Sequence, residues 1–131
     1  MYALNGDELL DIDLRALLRR HREAGTAATV AVALPRSPFA VVQLANGDLI
    51  AGFDERAAAP WWVSCGVYVL SERALERFPE RGDHESSAFP QFAAEGDLAA
   101  FRHGGRWLTV NTPKDLRNAE EYLATHPGWP A

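Results

Sequence analysis

Cysteine is all but missing from this sequence: Cys65 stands alone in 131 residues. A single thiol excludes an internal disulfide framework and a cysteine-rich zinc site, and it fits a reducing cytoplasm. No apolar run approaches the roughly 20 residues that span a bilayer, so a membrane partner is not expected. The N-terminus has no basic region followed by an apolar run, so no signal peptide is expected and the setting is read as cytoplasmic. A surplus of positive charge is missing as well. Thirteen Lys and Arg against 18 Asp and Glu give a formal net charge of -5. That balance favours solubility and argues against a nucleic-acid backbone as partner. There is no internal repeat, and no low-complexity segment beyond Ala57-Ala58-Ala59. A Gly-rich phosphate loop is also absent, although the chain opens within a residue of a strand of buried type.

What is present is ordinary for a globular protein: 47% hydrophobic and 24% charged residues. The length suits one domain, able to bury roughly two thirds of its unfolded surface. Residues 1–125 are read as that domain and 126–131 as a loose tail with two prolines.

The chain is organised around Tyr2-Ala3-Leu4-Asn5-Gly6-Asp7. A short strand runs into Asn-Gly, and a carboxylate follows at its end. In open α/β sheets, ligands bind beyond the carboxyl ends of the strands. An Asp there is well sited for a hard cation such as Mg²⁺, which takes carboxylate oxygen and shares substrate phosphates. The same three residues are equally the chemistry of a solvated turn.

A helix follows, with Asp13 as N-cap, Gly25 as stop, and Leu14, Leu17, Leu18 and His21 on one face. His21 reads as a solvated or helix-end histidine, since no second metal-type ligand stands at i+4. Thr26 to Leu34 is nearly continuous in apolar residues, as in a strand covered on both faces, with Pro35 and Pro38 ending it. Phe39–Leu44 and Leu49–Phe53 flank Asn46-Gly47 and read as a hairpin.

Trp61 to Leu70 reads as a long strand interrupted at Cys65-Gly66, where a glycine marks a bulge or a close backbone approach. Ser71 caps a short helix ended by Pro79, and a second helix runs through Phe89 and Phe92 to Gly96. Two strands, Leu98–His103 and Arg106–Val110, surround the Gly104-Gly105 turn. Thr112-Pro113-Lys114-Asp115 then opens the last helix. This order predicts an α/β fold: a mixed, mostly parallel sheet with flanking helices and a β-hairpin. Trp61, Trp62 and Trp107 are expected in the core or a cleft wall, and Cys65 as a small core residue.

Polar groups gather at four strand ends, and their order resembles the sugar-phosphate nucleotidyltransferases. Asn5-Gly6-Asp7 with Asp11, Asp13 and Leu14 resembles that family's "NGD…D.DL" segment. Gly52-Phe53-Asp54-Glu55-Arg56 is similar to "GF.EKP", and Ser64-Cys65-Gly66-Val67-Tyr68 to "NAGIY". Trp107 to Leu116 resembles "W.DIGTPEDL". The match runs in order along nearly the whole chain.

The resemblance implies an incomplete Rossmann-like, GT-A-like nucleotidyltransferase domain. It also implies a reaction between a sugar 1-phosphate and a nucleoside triphosphate that yields a nucleotide sugar and pyrophosphate. It makes Asp7 a Mg²⁺ ligand and catalytic residue, with Asn5 and Gly6 beside it in a substrate-binding turn. Glu55 would contact sugar hydroxyls. Arg56 would stand in the place of a phosphate-binding Lys, with fixed charge and bidentate geometry. Ser64 replaces a sugar-binding Asn with a shorter reach, and Gly66 would let the backbone approach the sugar. For Glu55-Arg56 an exposed pair at a hairpin end is the plain alternative, and for Gly66 strand packing. Thr109 stands where many members carry a second metal-binding Asp. Asn111 matches a metal-binding Asn of the related uridylyltransferases, or simply closes the turn before the helix. His84 and Glu85 fall in a loop similar to "F.FE", either substrate-side or solvated.

The family's "GG.GTRL.P.T" loop, which cradles the triphosphate through backbone amides, has no counterpart in this sequence. Two readings follow. In the first, the chain is the sugar-side portion of a nucleotidyltransferase, inactive by itself. In the second, it is a non-catalytic binding or oligomerisation module that keeps the fold without the chemistry. In both, a bare sheet edge leads to the expectation of a homo-oligomer or a partner chain completing the sheet.

Overall fold

The computed structural model describes residues 1–37 and 39–129. Pro38, expected to help end a strand, and Pro130 and Ala131 of the tail lie outside the described residues. The elements in order are β1 (Tyr2–Leu4), β2 (Glu8–Leu10), α1 (Leu14–Ala24), β3 (Ala28–Ala33), β4 (Val41–Leu44), β5 (Ile50–Asp54), β6 (Val63–Leu70), α2 (Glu72–Leu75), α3 (Ala88–Ala94), β7 (Leu98–Arg102), β8 (Trp107–Thr109) and α4 (Pro113–Thr125). They fall into two compact units, Met1–Val32 with Ser64–Ala131, and Ala33–Val63.

The larger unit is built on a four-stranded sheet in the order β1-β6-β3-β7. β1 pairs antiparallel with β6, and β3 pairs parallel with β7. Just past β6, the Ser71 N–H donates to the Ala27 carbonyl just before β3, so β6 and β3 also run oppositely. The sheet is mixed, as expected: β1, β3 and β7 run in one direction and β6 runs against them.

β3 is buried along almost its whole length, which explains its unbroken apolar sequence. On one face Ala28 and Val30 join Tyr68, Leu70, Ala88, Phe89 and Phe92 in the core. On the other, Thr29 is fully buried and its hydroxyl meets His21 Nδ1 at 2.9 Å. His21 is therefore a half-buried residue of the last turn of α1, tied to the sheet, and not a solvated one. Its environment lowers its pKa, first by burial and then by the positive charges of the N-terminus and Arg73. The α1 boundaries follow the capping chemistry: Asp13 accepts from the Ala16 N–H, and Gly25 closes the helix at φ 63°.

A separate antiparallel pair joins β2 to β8, with Glu8 opposite Thr109 and Leu10 opposite Trp107. α4 follows at once, started by a capping box in which Thr112 and Asp115 bind each other's backbone. Beyond it Trp129 meets the Tyr122 ring edge-on and points its indole N–H at Asp11, 3.4 Å away.

The smaller unit is the expected hairpin. β4 and β5 pair antiparallel, with Val42 opposite Phe53. The connection Asn46–Asp48 is a single 3₁₀ turn with Gly47 at φ 75° and Asp48 at φ 60°. Here the Asn-Gly signal has its usual cause, since tight hairpin turns need positive φ. Of the two places expected for Trp61 and Trp62, core or cleft wall, the first is excluded. They are 61% and 46% exposed, so neither is a core residue. The strand begins only at Val63, and bends at Pro60 and Trp61 keep both rings ahead of the ladder.

Candidate functional site

β1 ends at Leu4, and the turn Asn5-Gly6-Asp7 carries the chain over to β2. Two backbone bonds pin this turn. The Asn5 N–H donates to the Gly66 carbonyl at 2.8 Å, and the Val110 N–H donates to the Asp7 carbonyl at 2.9 Å. The turn is thus suspended between the middle of β6 and the junction of β8 with α4. Asp7 itself is exposed.

Asn111, next to Val110, is also exposed. Its side-chain amide N–H donates to Thr109 Oγ1 at 2.7 Å. That bond turns the amide oxygen into the group available to a cation. Among the described residues no three His, Cys, Asp or Glu side chains converge as a metal cluster. One carboxylate and one amide oxygen are nevertheless the hard donors that Mg²⁺ takes when phosphates and water complete its shell, so the residues fit that ion.

Gly66 lies within β6 at φ 67°, a conformation that side chains disfavour. A Cβ there would stand 2.9 Å from Asn5 Nδ2 and 2.9 Å from Glu8 Cγ. The close approach that this glycine permits is made by those two side chains. Glu8 is held in turn by Trp107, whose indole N–H donates to Oε2 at 2.6 Å. Burial raises the Glu8 carboxyl above its ordinary range. The Trp107 hydrogen bond opposes that shift, and the charge of Asp7 adds to it.

Beside Gly66 is a second polar group. Ser64 Oγ accepts from the Gly66 N–H at 3.2 Å and donates to Glu85 Oε1 at 3.3 Å. The Tyr68 hydroxyl, 3.2 Å from Ser64 Oγ, donates to the same Glu85 oxygen. Tyr68 is 1% exposed, and burial, reinforced by Glu85, pushes its hydroxyl well above the usual phenol range. Ser64 and Glu85 line a cavity of about 360 Å³ whose other lining residues are apolar, among them Val30, Val32 and Ala100.

Glu55 and Arg56 belong to the smaller unit. They follow β5 as an exposed pair, and the Arg56 N–H donates to Asp54 Oδ1 at 2.8 Å.

Comparison with known proteins gives this arrangement a family. The family model described as "Nucleotidyl transferase" matches residues 1–126. The chain belongs to the nucleotidyl transferase family. A Bacillus subtilis protein named "Probable glucose-1-phosphate cytidylyltransferase" is 31% identical over 113 residues, 85% of this chain and 44% of the relative. The "Mannose-1-phosphate guanylyltransferase catalytic subunit beta" of Xenopus tropicalis is 30% identical over 98% of this chain and 39% of its own length. Among solved structures, HddC from Yersinia pseudotuberculosis superposes with a TM-score of 0.66 at 16% identity, covering 94% of this chain and 55% of that one. This nucleotidyl transferase chain therefore spans about half, or less, of the length of the relatives it matches.

The resemblance read from the four strand-end segments was thus correct, and so was the mixed α/β class. Asn5, Gly6, Asp7, Ser64, Gly66 and Asn111 all lie in the larger unit, and the two backbone bonds draw most of them to one end of β1. Sequence reasoning missed Glu8 and Tyr68. For Tyr68 the signal was available: Ser64, Gly66 and Tyr68 stand at i, i+2 and i+4 of one strand, the spacing that shares a face. Glu8 carried no comparable signal, because only the pairing of β2 with β8 brings it to Trp107.

Proposed function

We propose that this chain supplies the sugar-phosphate side of a nucleotidyl transfer. A sugar 1-phosphate oxygen attacks the α-phosphorus of a nucleoside triphosphate in line, pyrophosphate leaves, and a nucleotide sugar results. One observation carries the reading. The Asn5-Gly6-Asp7 turn, within a family match over residues 1–126, is pinned at the carboxyl end of β1 next to the β8–α4 junction. Strand-end crevices of this kind are where open α/β sheets bind ligands.

Within this proposal Asp7 and Asn111 hold Mg²⁺. When bound, that ion supplies neutralisation of phosphate charge. Asn5 and Gly6 shape the turn that carries Asp7, and Ser64 and the Gly66 backbone meet sugar hydroxyls. Glu55 is assigned to the sugar and Arg56 to a phosphate, for which its guanidinium offers fixed charge and a bidentate fork. A Gly-rich triphosphate cradle is absent from these 131 residues. The triphosphate is therefore assigned to a further segment or partner chain. β1 is an edge strand of its sheet, and its outer side offers unpaired backbone groups to such a strand. The setting proposed is the cytoplasm, consistent with one free, buried thiol.

Titration calorimetry tests this reading. Glucose 1-phosphate or mannose 1-phosphate should bind the purified chain, more tightly with Mg²⁺, while nucleoside triphosphates alone should not. Absence of any hexose 1-phosphate binding refutes the proposal. Triphosphate binding by this chain alone would show that the phosphates sit elsewhere.

A second reading, an oligomerisation module, is favoured by the hairpin. Leu44, Ile50 and Phe53 are 66%, 59% and 65% exposed there, and clustered apolar exposure marks an interaction surface. Light scattering separates the two readings. An oligomer that Leu44→Ser with Phe53→Ser dissociates, in a chain that binds no sugar phosphate, would favour the module.

A further inference from the structure

We propose that Glu8 and Thr109 are positioning residues that aim Asn111 at a divalent cation: Glu8 takes the Thr109 proton, Thr109 then accepts from the Asn111 amide, and the amide oxygen is left for the ion. The inference rests on the reading of Asp7 and Asn111 as Mg²⁺ ligands, and adds what decides which end of the second ligand the ion meets.

An asparagine amide has a donor end and an acceptor end of nearly the same shape, and only the acceptor end serves a cation. Asn111 is exposed, so packing does not make the choice. Its side-chain N–H binds Thr109 Oγ1 at 2.7 Å. A threonine hydroxyl can give its own proton or accept another. If the Thr109 proton pointed at Asn111, the amide would reverse and present its N–H₂ to the ion.

Glu8 removes that option. It stands directly opposite Thr109 in the pairing of β2 with β8. Opposed side chains of an antiparallel pair share a face, with Cβ atoms about 5 Å apart. The Thr109 hydroxyl hydrogen-bonds the Glu8 carboxyl. An ionised carboxylate only accepts, so the shared proton comes from Thr109. Glu8 is fixed in turn by the Trp107 indole N–H, a donor that cannot accept, 2.6 Å from Oε2. Donation therefore runs one way, from Asn111 to Thr109 to Glu8, and Trp107 closes the chain from the far side. The backbone keeps this chain beside the first ligand, because the N–H of Val110, between Thr109 and Asn111, binds the Asp7 carbonyl at 2.9 Å.

The test uses Mn²⁺ alone, a hard divalent ion that takes the same oxygen donors as Mg²⁺. Electron paramagnetic resonance reads the free ion, and broadening of amide signals in the ¹⁵N-labelled whole chain reads its place. In the wild type, Mn²⁺ should broaden the Asp7 backbone and Asn111 side-chain signals. Thr109→Val keeps the β-branched shape that strands favour and removes the hydroxyl. It should weaken Mn²⁺ about 10-fold or more, the usual cost of losing a group that orients a metal ligand, while Thr109→Ser should stay within about 3-fold of wild type. In an Asn111→Asp background, Thr109→Val should cost under about 3-fold, since a carboxylate presents oxygen whichever way it turns. Glu8→Gln gives its one oxygen to Trp107 and turns an N–H₂ to Thr109, which reverses the chain. Without metal, the Asn111 side-chain N–H should then exchange with solvent faster than in the wild type, a readout that the lost charge alone does not move. If Mn²⁺ binds and Thr109→Val costs the same in both backgrounds, Thr109 does not act through the amide, and the inference is overturned while the cation reading stands. Unchanged exchange in Glu8→Gln overturns the part assigned to Glu8. If Mn²⁺ neither leaves solution nor broadens Asp7 in the wild type, the cation reading falls and this inference falls with it.

Discussion

Replacing Gly66 with alanine should damage both the stability of this protein and its candidate site. Gly66 sits at φ 67° inside β6. A left-handed conformation costs a non-glycine residue about 1–2 kcal/mol. The new Cβ would also press on Asn5 Nδ2 and Glu8 Cγ at 2.9 Å each, closer than carbon tolerates. The Asn5 amide can rotate away, but Asn5 Cβ, 3.0 Å from the new carbon, is held by the backbone bond from the Asn5 N–H to the Gly66 carbonyl. Glu8 can move only by loosening its 2.6 Å bond from Trp107, and a hydrogen bond to a charged group contributes about 1.5–3 kcal/mol. With partial relaxation the sum is about 2–4 kcal/mol. Urea unfolding followed by circular dichroism reads this directly. With a slope of about 2 kcal/mol per molar, the midpoint should fall by about 1–2 M without a change in slope. Hexose 1-phosphate binding should fall as well, because Asn5 and Ser64 are both tied to the Gly66 backbone. A midpoint within about 0.3 M of wild type would show that the strand relaxes around the methyl group, and the account of Gly66 would be wrong.

Three further outcomes are expected. Burial raises the Glu8 carboxyl, so the folded chain holds that proton to a higher pH than the unfolded chain. Stability from this group is full below its ordinary value of 4.5 and is lost as pH rises through the folded value. Glu8→Gln should therefore gain on the wild type in unfolding midpoint as pH rises from 4.5 through the folded value of Glu8, and a pH-independent difference would contradict it. Cys65 is fully buried and its thiol is pushed up to about 12 by burial, with the charge of Glu8 adding. A thiol reagent at pH 8 should thus modify it only as fast as the chain opens, and a rate unchanged by denaturant would refute this. Thr112→Ala removes one half of the capping box of α4 and should lower stability by about 1 kcal/mol, read as a few degrees in the melting midpoint; no change would mean that the first turn is held by other contacts.

Much of the fold was legible because its causes are local. Asp13 and Gly25 delimit α1 by capping chemistry that needs no tertiary partner. Asn46-Gly47 makes a hairpin because positive φ is required there and is cheap for glycine. Thr112, Pro113 and Asp115 start α4 through bonds spanning three residues. The unbroken apolar run of β3 reports a strand with cover on both faces, and that cover is present.

What the tertiary structure alone decided are distances between segments far apart in the chain. The sense of β6 between β1 and β3 is set by pairing with strands far away in the chain, which residue types do not encode. Glu85 meets Ser64 and Tyr68 across separations of 21 and 17 residues, and Glu8 meets Trp107 across 99. Such pairs are brought together by burial of apolar surface elsewhere, which is non-directional and leaves no mark on the polar residues it happens to join. The amino-acid order by itself therefore established most of the elements, though not β2, together with the family and a carboxylate at the end of β1. Only tertiary packing brought Ser64 and Tyr68 of β6 together with Glu85 of the loop before α3 in one hydrogen-bonded cluster.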